Sequence, residues 1–143
     1  MSSMTVSLDT NVLIALLNEA QEINRSALAA IERSRKLGKL VVSGPVYAEL
    51  MGFPARTQAA LDSFFNMSFI DVDWRFEEAV WRSAGAAFQS YVQRRVASTG
   101  LLPRRILTDF LIGAHTVVNN YTLLTLDKRH YEAAFPGIRL ASF

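Results

Sequence analysis

Four acidic residues stand in company that does not suit a charge. Asp9 lies in TVSLDTNVLIALL, residues 5–17, between two nearly unbroken apolar runs. A buried carboxylate is costly unless hydrogen bonds or a cation compensate it. Glu49 fills the i+3 position of an apolar helical stripe made by Val46, Leu50 and Phe53. Asp109 follows Thr108 and precedes FLIGAHTVV, a segment apolar nearly all round, and Asp127 ends TLLTLD. Each alone has a structural explanation: a helix cap for Asp9, the edge of a stripe for Glu49, a cap or dipole partner for Asp109 and an Asx turn for Asp127. Four carboxylates brought together would repel one another unless a cation balanced them. Oxygen-only donors suit Mg²⁺ or Mn²⁺ rather than zinc, and His115 and His130 have no zinc-type spacing with these acids. The chemistry such a centre favours is phosphoryl transfer, in which the ion activates water and neutralises charge on phosphate oxygens.

The elements that would position these acids alternate. TVSL reads as a short strand, followed by a helix from Thr10 to about Asn18 and a second from about Glu22 to Lys36, stopped at Gly38. KLVVS is a buried-type strand. GPVYAELMGF starts a helix with proline in its first turn, and ARTQAALDSFF continues helically after Pro54. MSFIDVD is a third strand. Phe76, Val80, Ala84, Ala87, Phe88 and Tyr91 follow helical spacing and give a long helix fading before Gly100. After the STGLLP loop come the helix TDFLIGAHTVVNN, the strand YTLLTLD, the short helix KRHYEAAF and a last strand, GIRLASF. Alternation of this kind predicts an α/β fold, a parallel sheet with helices on both faces. In such sheets ligands bind beyond the carboxyl ends of the strands. Asp9 and Asp127 fall directly at such ends, and Glu49 one short turn past another. Asp109 opens the helix that feeds the TLLTL strand. Gly113, one turn beyond Asp109 on the same face, predicts close packing against a strand. Asp71 and Asp73 also end a strand, but capping explains Asp73 and both are left out of the site.

Length and composition bound the function. The 143 residues suggest one domain, and 50% hydrophobic with 20% charged residues suits a globule with a substantial core. No apolar run approaches a membrane span, and the start MSSMTVSLD lacks a signal-type pattern. The chain has no cysteine, which excludes disulfides and thiolate metal sites and fits a reducing cytoplasm. Net charge is +2, too weak to imply nucleic-acid binding by itself. Twelve of its fifteen basic residues are arginine, the side chain suited to bidentate phosphate contacts.

Taken in order, these segments resemble the PIN-domain nucleases, specifically VapC-type toxins of bacterial or archaeal toxin–antitoxin pairs. SLDTNVLIALL is similar to the family's opening strand, aspartate and helix. VVSGPVYAEL resembles its second motif and carries Glu49. ILTDFLIGAHTVVNNYTLLTLDKRHYEAAFPGIRL resembles its third and fourth, carrying Asp109 and Asp127. Nothing is carried over for residues 54–100, where members vary most. The resemblance implies a single PIN domain over residues 1–143, a three-layer α/β/α fold with a central parallel sheet of four or five strands. It implies a cytoplasmic, Mg²⁺- or Mn²⁺-dependent endoribonuclease leaving 5′-phosphate and 3′-hydroxyl ends, working as a homodimer and held by a small antitoxin whose tail blocks the acidic groove. Asp9 and Asp109 would be the most direct ligands, Asp127 would complete the site directly or through water, and Glu49 would hold or help deprotonate water at the ion. Asn11 and Thr125 match polar positions that orient these carboxylates. The KRHY after Asp127 departs from the Asp-Phe ending common in many members.

Arg94, Arg95, Arg104 and Arg105 bracket the loop leading to Asp109 and, with Lys128 and Arg129, are the candidates for RNA phosphate contacts. Arg33, Arg35, Lys36 and Lys39 read as dipole partners and solvated charge at a helix C-terminus. Trp74 and Trp81 read as core or dimer residues rather than stacking platforms. Two other classes remain: a catalytically silent PIN-fold module binding RNA or a protein partner, and an aspartyl-nucleophile phosphatase. The second is disfavoured because Asn11 stands where that chemistry needs an acid.

Overall fold

The computed structural model describes residues 4–53, 57–100 and 107–143. Among them run β1 (Met4–Leu8), α1 (Thr10–Leu17), α2 (Asn24–Leu37), β2 (Gly38–Ser43), α3 (Gly44–Met51), α4 (Gln58–Met67), β3 (Ile70–Asp73), α5 (Glu78–Thr99), α6 (Leu107–Val118), β4 (Thr122–Leu124), α7 (Lys128–Ala134) and β5 (Arg139–Leu140). The five strands form one sheet in the order β3-β2-β1-β4-β5, and every pairing is parallel. Helices flank it, giving the expected three-layer α/β/α architecture. No described helix is long and apolar enough to cross a membrane.

Burial on both faces explains why the central strands read as continuous apolar runs. Val6, Ser7 and Leu8 of β1 are all but sealed from solvent, as are Leu40, Val41 and Val42 of β2 and Leu123 and Leu124 of β4. The sheet order has a consequence for the site. The chain leaves β1 toward β2 and β3 on one side, then returns to place β4 and β5 on the other. β1 and β4 therefore flank the topological switch point, where an open parallel sheet forms its cleft beyond the strand ends. Asp9 follows β1, Asp127 lies three residues past the end of β4, and the Asp9 N–H extends the ladder by donating to the Leu124 carbonyl at 3.0 Å.

The edges are shorter than the pattern of the sequence predicts. β3 begins only at Ile70 because α4 runs through Met67, and β5 is two residues rather than the whole of GIRLASF. Gly38 caps α2 as expected, but in extended backbone that any residue adopts (φ 165°). What excludes a side chain there is the neighbouring strand: a Cβ would lie 1.6 Å from the Met4 carbonyl oxygen.

An all-round apolar helix must be buried, and α6 is: Phe110 through Thr116 form an unbroken buried run. Full burial of side chains such as Phe110 and Ile112 contributes about 1.5–3 kcal/mol each. Gly113 does sit in a tight contact, but against an aromatic ring rather than a strand. A Cβ at this position would stand 2.3 and 2.7 Å from two ring carbons of Phe135. Gly113→Ala is expected to cost about 1–3 kcal/mol through overpacking. Thermal unfolding of Gly113→Ala, Phe135→Leu and the double variant checks it. The double variant should lose less than the two singles added together, and strict additivity would put the cost elsewhere.

Candidate active site

Asp9 is 4% exposed and doubly held. One carboxylate oxygen accepts the Thr10 N–H at 2.7 Å and the other accepts the Thr125 hydroxyl at 2.7 Å. It is thus both a helix N-cap and a residue fixed from the far end of the chain. Burial pushes its pKa up, the Thr125 hydroxyl and the Thr10 N–H pull it back together with the neighbouring Tyr131 hydroxyl, and the Glu49 charge adds to the rise. The net effect is a carboxylate whose negative charge is under-compensated by protein donors alone.

Glu49 reaches the same place through Thr10, whose hydroxyl donates to its Oε1 at 2.6 Å. It stands half-buried on α3 between the buried Val46 and Leu50. Thr125 accepts the Asp127 N–H at 2.9 Å while donating to Asp9, so one hydroxyl links the two strand-end acids. Asn11 acts one step away: its side-chain oxygen accepts the Leu126 N–H at 3.2 Å and pins the loop after β4 rather than a carboxylate. Asp109 lies in the first turn of α6, with His130 Nε2 3.9 Å from its Oδ2.

Sequence reasoning passed over Thr10, His130 and Tyr131. Tyr131 is 1% exposed, and its hydroxyl reaches no described acceptor with hydrogen-bond geometry. Burial, then the charges of Asp9, Asp109 and Asp127, hold its pKa far above the ordinary phenol range. Three of the four acids therefore act electrostatically on one hydroxyl, and the fourth, Glu49, acts on Asp9. The available signal was its spacing: Tyr131 is four residues after Asp127, one turn into the helix that Asp127 precedes.

Among the described residues, no three acidic or histidine side chains are grouped closely enough to hold one ion as they stand. The donors nonetheless fit a divalent cation in kind. They are carboxylate and hydroxyl oxygens, one acid is buried with its charge disfavoured, and the buried Tyr131 hydroxyl that feels three of the acids has no hydrogen-bond partner among the described residues. Asp9, Asp109 and Asp127 would hold the ion, with Glu49 beside it.

The basic candidates divide. Arg94, Arg95 and Arg129 line one open cavity of about 390 Å³ together with Tyr91 and His130. Lys128 and Arg129 share a second, of about 350 Å³, with Asp127 and Thr125. Arg104 and Arg105 lie outside the described residues. The helix-end bases are partly paired: Arg35 donates to the Ser68 carbonyl at 2.7 Å and Lys39 meets Asp71 at 2.9 Å. Trp74 and Trp81 are not core residues; they are 66% and 53% exposed, each edge-on to one ring, Tyr47 and Phe76 respectively.

Asp73 is not a cap of the long helix, which starts only at Glu78. Its carboxylate accepts from the Arg75 N–H at 3.1 Å and from Nε2 of the fully buried His115 at 2.8 Å. Burial would raise its pKa, but the His115 bond, the Arg75 N–H and the nearby positive charge outweigh it and hold Asp73 below the ordinary carboxylate range. A polar cavity of about 560 Å³, lined by Lys39, Asp71, Asp73, Arg75 and Tyr121 among others, lies beside this pair and includes none of the four acids.

Comparison with known proteins agrees with this fold. The PIN-domain family profile matches residues 6–136. No curated protein matches the chain. Among solved structures, the fold is similar to VapBC-1 from nontypeable Haemophilus influenzae, with TM-score 0.69, 20% identity and 97% of this chain and 98% of that one covered. It is also similar to VapBC2 from Rickettsia felis bound to a promoter DNA fragment, with TM-score 0.65, 22% identity and coverage of 96% and 97%. FitAcB from Neisseria gonorrhoeae gives TM-score 0.62 at 18% identity, with 96% of each chain covered. At these identities the structural likeness speaks to the fold, and the family follows from the profile match across nearly the whole length: this chain belongs to the PIN-domain family.

Proposed function

We propose that this chain, a single PIN domain over residues 1–143, is a Mg²⁺- or Mn²⁺-dependent endoribonuclease and the toxin of a toxin–antitoxin pair. The observation that carries the reading is Asp9: a buried carboxylate at the sheet's switch point, gripped by Thr10 and Thr125 and left with its charge under-compensated. An ion held by Asp9, Asp109 and Asp127 would supply Lewis-acid activation of water and neutralise charge on the scissile phosphate. The chain's own residues do the rest. Thr10 and Thr125 orient Asp9. Thr10 also steers Glu49, which accepts a proton from the attacking water. Arg94, Arg95 and Arg129 form a basic rim that offsets the acids and draws in the RNA backbone. A similar solved structure, from Klebsiella pneumoniae, is of a toxin–antitoxin complex, which supports a small antitoxin as partner here. A homodimer in the cytoplasm completes the proposal.

A second reading, a catalytically silent PIN-fold module binding RNA or a protein, draws on one observation. No preformed three-acid cluster occurs among the described residues. One experiment separates the two. Purified protein free of antitoxin is incubated with total RNA in Mn²⁺ or EDTA, beside Asp109→Asn. Cleavage that needs Mn²⁺, leaves 5′-phosphate ends and is lost in the variant is expected. Cleavage persisting in EDTA or in Asp109→Asn overturns the mechanism, and RNA left intact under all conditions favours the silent module.

A further inference from the structure

We propose that Tyr131 is a positioning residue of the cation site: its hydroxyl bonds the Asp9 carboxylate and fixes which oxygen lone pairs face the ion. The inference rests on the nuclease reading and concerns a residue to which that reading gives no role. Each Asp9 oxygen already accepts one protein donor, from Thr10 or Thr125. A carboxylate oxygen has two acceptor sites, so each keeps one free. The Tyr131 side chain is buried, its hydroxyl has no hydrogen-bond partner among the described residues, and it interacts electrostatically with Asp9. A buried hydroxyl without an acceptor destabilises the fold. In a core position phenylalanine would fill the same space without that cost.

The surroundings indicate what completes it. Asp9, Asp109 and Asp127 all act electrostatically on this hydroxyl. With a cation held by these carboxylates, Asp9 would be the acceptor that the O–H takes. The ordering also works in reverse, because a donor on the outer lone pair of a liganding carboxylate orients it and typically strengthens metal binding by one to two orders of magnitude.

Tyr131→Phe, which removes one oxygen and keeps the ring, tests this. Mn²⁺ binding is measured without RNA from the electron paramagnetic resonance signal of free Mn²⁺, and unfolding is followed in EDTA. The variant is expected to bind Mn²⁺ about tenfold more weakly while its metal-free melting temperature is unchanged or higher. A side chain that only packs would move the melting temperature and leave the affinity alone. Mn²⁺ affinity within twofold of the wild type overturns the proposal for Tyr131 while leaving the nuclease reading intact. A wild-type protein that binds no Mn²⁺ overturns both.

Discussion

Asp9→Asn is expected to abolish metal-dependent RNA cleavage, by about a thousandfold or more, and at the same time to stabilise the metal-free protein. The two effects have one cause. In the absence of an ion, the Asp9 carboxylate is buried with its pKa raised, by burial first and by Glu49 as well. A raised carboxylate pKa means the folded state holds a proton more tightly than the unfolded chain. Its stability contribution is therefore full below the unfolded value and lost as pH rises through the raised folded value. At neutral pH the charge is a liability to the fold, tolerated for what it can bind. Asparagine removes that charge and still offers an oxygen to Thr10. Thermal unfolding in EDTA should show the variant about 2–6 °C more stable near pH 7.5, with the gap closing toward acid pH. Adding Mn²⁺ should reverse the order, because only the wild type gains stability from a ligand that binds the folded state alone. An Asp9→Asn protein that is less stable in EDTA, or that Mn²⁺ stabilises as much as the wild type, would contradict this account.

The same residues show what a linear sequence carries and what it hides. The parallel sheet was legible because its central strands are buried on both faces, and LVVS and TLLTL state that directly. Asp9 and Glu49 were legible because their charge violates an otherwise apolar pattern. Residues whose roles depend on contacts far along the chain were not. Asp73 looks like a cap from its neighbours, yet its partner His115 is 42 positions away. Tyr131 obeys the apolar pattern of its helix, so its one polar atom raised no local conflict. Trp74 and Trp81 mislead in the opposite sense. Large aromatic rings predict core on average, but Trp74 directly follows an edge strand only four residues long and Trp81 lies in the first turn of α5, and both are exposed. Gly113 was recognised as a close contact from its helical cost alone, while its partner, Phe135, comes from beyond α7 and lies on no strand.

His115→Ala should be the most damaging single truncation away from the acids, at about 3–5 kcal/mol. The ring is fully buried, stacked on Phe76 at 5.5 Å with an 18° interplanar angle, and edge-on to Tyr121 at 5.6 Å. Its Nε2 meets Asp73 Oδ2 at 2.8 Å, and since the ionised carboxylate can only accept, Nε2 carries the proton. Truncation leaves a cavity and strands a partly buried charge at the carboxyl end of β3. Because α6 also carries Asp109 in its first turn, the pair joins the sheet edge to an element of the candidate site. Asp73→Asn separates packing from charge, since its amide oxygen can still accept from Nε2. The pH dependence gives an independent check. Asp73 titrates below the ordinary carboxylate range in the fold, so its contribution is present above the unfolded value and lost as pH falls through the lowered folded value. Between about pH 5 and pH 2 the wild type should therefore lose more stability than Asp73→Asn. Urea unfolding of His115→Ala, Asp73→Asn and the double variant should return a coupling of about 1–2 kcal/mol. Additive losses with an unchanged acid limb would assign the whole effect to the ring's packing and none to its bond with Asp73.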